Sequence, residues 1–179
     1  SSTMMHAQPV QQPTPQQMFD QARRLMAVGD FHEAAQRLGH LRLRLPDQTP
    51  IRIFHGLCGA AMGMHELAWP ELASAAAEIR AAISAAPADD PNTPRRTQQL
   101  LIVLAQLARC HEAIGRADEA DAVLAAAREL DPKDPHATRA RIEILAARGR
   151  IDEARAALDG AAEAGLDEMP SAMAGGAIA

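Results

Sequence analysis

Residues 115–127 read GRADEADAVLAAA and residues 149–161 read GRIDEARAALDGA, two segments 34 residues apart that share Gly, Arg, Asp, Glu, Ala and Leu at matching positions. A third copy, GDFHEAAQRL, begins at Gly29, and a step of 34 from Gly29 and Ala34 lands on Gly63 and Ala68. A period of this length belongs to paired-helix repeats, in which each unit buries its apolar face against the next. Ala120, Leu124 and Ala127 fall at i, i+4 and i+7, as do Ala154, Leu158 and Ala161, so each trio lines one face of a helix. The Gly ahead of each trio suits a helix C-terminus because it tolerates positive φ. Asp118 and Asp152 then cap or electrostatically favour the next helix start. Pro46 and Pro132 stop the second helices, and Asp134-Pro135 reads as a cap and first-turn pair for the helix that follows.

Composition agrees with an all-α fold. Hydrophobic residues make up 47% of the 179 but aromatics only 2%, so the core is built from Leu, Ile, Met and Ala. Small side chains let helices approach closely, and Ala is the best helix former. Residues 1–14 are rich in Gln and Pro without hydrophobic periodicity and read as a flexible leader. Within it Ser1 to Thr3 read as a remnant ahead of a natural start at Met4 or Met5.

Several function classes find no support. The net charge of −5 and pI of about 5.8, with no strongly basic face, argue against nucleic acid as a partner. No apolar stretch of roughly 18 to 20 residues predicts membrane insertion, and there is no basic-then-apolar signal pattern, so the expected compartment is the cytoplasm. Cys58 and Cys110 lack metal-ligand spacing and read as buried, reduced thiols. None of the seven His forms HExxH or a Cys/His metal set, and GxSxG, Walker and GxGxxG loops are missing. The expectation is a non-enzyme with no metal and no cofactor.

The repeating residues resemble the tetratricopeptide family. Its small-residue positions match Ala22, Gly29, Ala34 and Pro46 in the first unit. In the third they match Leu104, Leu107, Ala108, Gly115, Ala120, Leu124, Ala127 and Pro132, and in the fourth Gly149, Ala154, Leu158 and Ala161. His111 replaces the usual aromatic residue of a first helix, and Ile142 a small one. The resemblance implies a right-handed α-solenoid of antiparallel helix pairs over residues 15–168, about four repeats plus a C-terminal helix. The units run over about 15–48, 49–87, 94–134 and 135–168. The second is elongated: Gly63 to Gly115 spans 52 residues. Trp69-Pro70 reads as an interruption, which moves the second-helix positions to Ala75, Ile79 and Ala82, predicts about two extra turns near Gly63 to Trp69, and leaves PADDPNTP as the connecting loop. Residues 169–179, with Gly175-Gly176, read as a partial fifth repeat or capping tail that docks on a neighbouring copy or continues into a longer protein.

Such solenoids imply binding of a protein or peptide on the concave face lined by the first helices. The family's groove positions fall on Phe19 and Arg23, on Ile53, Phe54 and Leu57, on Gln106, Arg109 and Glu112, and on Arg139 and Glu143. The Lys and Asn with which some members grip a terminal carboxylate are not at these places. The expected groove is apolar in its first half and mixed-charge in its second, suited to an amphipathic helix or an extended peptide with an acidic end. Ile53, Phe54 and Leu57 are equally readable as inter-repeat core, and Arg109 and Glu112 as a pair across one helical turn. The leading expectation is therefore a scaffold or adaptor. A second is the regulatory or self-assembly region of a larger enzyme such as a transferase, and a third is homo-oligomerisation through the last repeat.

Overall fold

The computed structural model describes residues 4–165, which form eight helices and no strand. The expectations for Ser1 to Thr3 and for Met169 to Ala179 lie outside these residues. Residues 4–13 carry no regular structure and are exposed. The helices are α1 (Pro15–Ala27), α2 (Phe31–Arg44), α3 (Thr49–Ala61), α4 (His65–Ala85), α5 (Thr93–Ala113), α6 (Ala117–Leu130), α7 (Pro135–Ala147) and α8 (Ile151–Glu163). They pair antiparallel in sequence order, as a right-handed solenoid requires.

The turns inside each pair follow from one residue type. Gly29, Gly63, Gly115 and Gly149 have φ of 81, 77, 80 and 76° and end α1, α3, α5 and α7. At the third of these the Gly115 N–H donates to the Glu112 carbonyl at 3.2 Å and the Arg116 N–H to the His111 carbonyl at 2.8 Å, the two bonds of a Schellman motif. Between pairs the chain uses Pro: α1, α3, α5 and α7 each carry one in their first two positions. Asp134 caps α7 by accepting from the Ala137 N–H at 2.8 Å, as its sequence position implies. Asp118 and Asp152 instead lie inside the first turns of α6 and α8 and make no cap hydrogen bond, so their contribution is through the helix dipole.

Curvature follows from which helices meet. Successive first helices touch (α1 with α3, α3 with α5, α5 with α7), whereas no two successive second helices do. The first helices therefore line the inside of the curve. Two core clusters fill the interior, one spanning α1 to α5 with parts of α6 and α7, the other joining α5, α6 and α7 through Ala105, Ala108, Leu124, Ala140 and Ile144.

The stretched second unit departs from the sequence reading. Pro70 sits inside α4, which runs unbroken for 21 residues from His65. Ala68, Leu72 and Ala75 hold the second-helix positions, with exposures of 2%, 0% and 0%, while Ala82 is exposed. The extra turns lie at the far ends of the α4–α5 pair, since α5 is also 21 residues long. Pro70 lacks the N–H that would bond the Glu66 carbonyl, and α4 continues through it nonetheless. Leu158 is a second departure. It is 50% exposed where Leu38, Leu72 and Leu124 are 0%, 0% and 7%, because no described helix covers α8 on its outer side.

Candidate protein-interaction face

On the inner face the first half is aromatic. Phe19 of α1 meets Phe54 of α3 edge-on at 5.3 Å between ring centroids, and the Arg23 guanidinium lies 5.9 Å over the Phe54 ring. Edge-to-face rings and a cation over a ring face are both favourable uses of the ring quadrupole. Phe54 is nonetheless only 3% exposed, with Ile53 at 0% and Leu57 at 1%, so these three α3 residues are core. Phe19 and Arg23 remain half-buried at the surface.

The second half is a charged ladder. Arg109 of α5 donates from Nε to Glu143 of α7 at 2.7 Å, one repeat length away, and Arg139 donates to the other carboxylate oxygen at 2.9 Å. Burial pushes the Glu143 carboxyl up, but the bonds from Arg109 and Arg139 outweigh it and hold the group below the usual range. Gln106 does not join them on the open surface, being 4% exposed. Leu100 to Ala108 are buried without a break, because α5 is enclosed by helices on every side. Glu112 pairs not with Arg109 but with Arg148 at the end of α7. Arg148 donates to both Glu112 oxygens at 2.9 and 2.7 Å and to Asp121 at 2.9 Å. That fork ties α5, α6 and α7 together.

Two further groups escaped the sequence reading. Trp69, read as part of an interruption, packs under the Arg116 guanidinium at 4.3 Å and against the His111 ring at 5.3 Å. His111 fills the aromatic slot of the first helix. It is 5% exposed, its Nδ1 has no hydrogen-bond partner, and burial followed by the Arg116 charge lowers its pKa from 6.5. Cys58 and Cys110 are free and buried, and burial pushes their thiols up to about 12 and about 11. Such thiols are unreactive at neutral pH. Among the described residues no cluster of His, Cys, Asp or Glu is arranged to hold a metal, and no helix is long and apolar enough to cross a membrane.

The comparisons with known proteins agree with the repeat reading. Residues 115–174 match the tetratricopeptide-repeat family. No curated protein matches the chain. Three solved structures of MamA share the fold. A point mutant and the AMB-1 form each have a TM-score of 0.59 at 20% identity, the alignment covering 84% of this chain and 77% and 78% of theirs. The MSR-1 form has a TM-score of 0.60 at 19% identity, covering 84% of this chain and 76% of its own. At such identities the likeness concerns fold.

Proposed function

We propose that this tetratricopeptide-like solenoid is a non-catalytic protein-interaction scaffold that holds a peptide or partner protein along its inner face. The observation that carries the reading is the Arg109–Glu143–Arg139 cluster. Two guanidinium groups from successive first helices converge on one carboxylate at the surface that the curvature turns inward. An acidic side chain or terminus of a bound peptide would compete for the same donors with Glu143, the more exposed partner of Arg109. Phe19 and Arg23 extend this face with an aromatic edge and a cation for apolar side chains.

The test is a pair of variants with opposite expected signs. Arg109→Glu with Arg139→Glu weakens capture of an acidic peptide, whereas Glu143→Gln, which removes the carboxylate that both arginines share, strengthens it. Circular dichroism stays unchanged in both. Equal binding by all three chains would move the site elsewhere.

Self-association through the fourth unit is a second reading, motivated by Leu158 and Ile151, which are 50% and 49% exposed on the last described helix. Light scattering at two concentrations distinguishes it.

A further inference from the structure

The two halves of the solenoid are related by a shift of 86 residues. Gly29 and Gly115 are that far apart, as are Gly63 and Gly149, and the shift carries α2 onto α6, α3 onto α7 and the start of α4 onto the start of α8. Side chains at the junction of the three helices differ between the halves in their acidic members. In the first half, Glu71 of α4 is paired with Arg42 of α2 and with His55 of α3, the latter at 2.7 Å. Two turns further along α4, Glu78 takes Arg52 and the Thr49 hydroxyl of α3. In the second half Arg128 stands at the place of Arg42 and Arg141 at that of His55, but Ala157 and Ala164 replace Glu71 and Glu78. The two cations of the Glu71 site are kept, whereas both carboxylates are gone and Thr138 stands where Arg52 does.

The structure registers the loss. Among the described residues the Arg128 and Arg141 guanidinium groups make no hydrogen bond or ion pair. The contact of α6 with α7 is far slighter than that of α2 with α3. A cleft of about 330 Å³ opens between α6, α7 and α8, floored by Leu124, Ala157 and Ala161 and rimmed by Arg128, Arg141 and Lys133. Asp131 also reaches the rim, where its Oδ1 accepts the Lys133 backbone N–H at 2.9 Å. The cleft opens beside the second helices α6 and α8, and none of Arg109, Arg139 and Glu143 lines it.

We propose that the cleft docks an acidic helical segment of a partner protein, one of whose carboxylates takes the place that Glu71 fills in the first half. A carboxylate between two guanidinium groups receives charge-assisted, fork-shaped hydrogen bonds. The small residues of the floor let a helix backbone come close.

The probe is a labelled Ala-rich helical peptide of roughly 18 residues with one central Glu, titrated into the intact chain by fluorescence anisotropy. Binding should weaken at least about tenfold in the Gln version of the peptide, and as much with Arg128→Ala plus Arg141→Ala in the protein. Ala157→Glu plus Ala164→Glu should abolish binding while raising Tm, which separates a refilled cleft from a misfolded one. Unchanged affinity in either protein variant, or no binding to the unaltered chain, overturns the proposal. Binding seen only after removal of residues 166–179 overturns it in favour of the chain's own Asp167 and Glu168. A dimer lost with Arg128→Ala plus Arg141→Ala overturns it in favour of a second copy. None of these outcomes touches Arg109, Arg139 or Glu143, so the inner-face reading stands or falls separately.

Discussion

His111 shows how a single residue couples burial to pH. Its folded-state pKa lies below the unfolded value near 6.5, so the unfolded chain binds the proton first. Stability from this site is therefore complete above pH 6.5 and is lost as pH falls through the folded value. His136, also lowered by burial, has the same sign. Trp69 is the only Trp and there is no Tyr, so its fluorescence reports directly on the His111 contact. Emission should change with a midpoint below pH 6.5, and His111→Phe should remove that change and flatten the acid loss of Tm. A midpoint above 6.5 would contradict the burial argument. Glycine separates into two kinds at this scale. A Cβ at Gly115 would meet nothing within 4 Å, so Gly115→Ala costs only the left-handed backbone, about 1–2 kcal/mol in thermal unfolding. A Cβ at Gly56 would lie 2.9 Å from Leu72 Cδ2, so Gly56→Ala forces the enclosed Leu72 side chain to shift. The positive-φ glycines were legible from the period of 34. Gly56 as a close-approach site was not, since it depends on how two helices cross.

At the scale of helices the sequence reading was right about pairing and wrong about where the second unit grows. The interruption expected at Trp69-Pro70 does not occur, and α4 continues through Pro70 for about another four turns. Pro70→Ala should accordingly stabilise the protein, by about 1–3 kcal/mol, since it restores a hydrogen bond to Glu66 without altering the buried face. The same register position also behaves differently along the array. Leu72→Ala should cost about 2–5 kcal/mol because the side chain is fully enclosed, whereas Leu158→Ala should cost less than about 1 kcal/mol, being half exposed. Urea titrations of the two variants check the contrast, and equal losses would mean that α8 is covered in solution. The predicted groove suffered from the same limit. The family resemblance implies Gln106, Arg109 and Glu112 as one set, but α5 is surrounded, so Gln106 is buried while its neighbours pair with α7. Which face of a first helix stays open is decided by the helices stacked on it, and a single repeat carries no trace of them.

For the whole molecule the account is a curved stack whose inside is held by ion pairs between repeats. Arg148 shows how much of the stacking is ionic, since its side chain and that of Glu112 are only 18% and 21% exposed. Arg148→Ala should cost about 1–3 kcal/mol and Arg148→Lys nearly as much, because an ammonium cannot reproduce the fork. Thermal unfolding of both variants checks this. Glu143 adds a pH dependence of its own. Its carboxyl is held below the ordinary value of 4.5, so the Arg109–Glu143–Arg139 link is intact above that pH and lost as pH falls through the lower folded value. The central claim is that this inner face binds a protein partner, and affinity capture with the intact chain beside the Arg109→Glu, Arg139→Glu variant tests it most directly. The account predicts a partner retained by the unaltered chain and lost from the variant, with identical circular dichroism. Equal retention by both would contradict it.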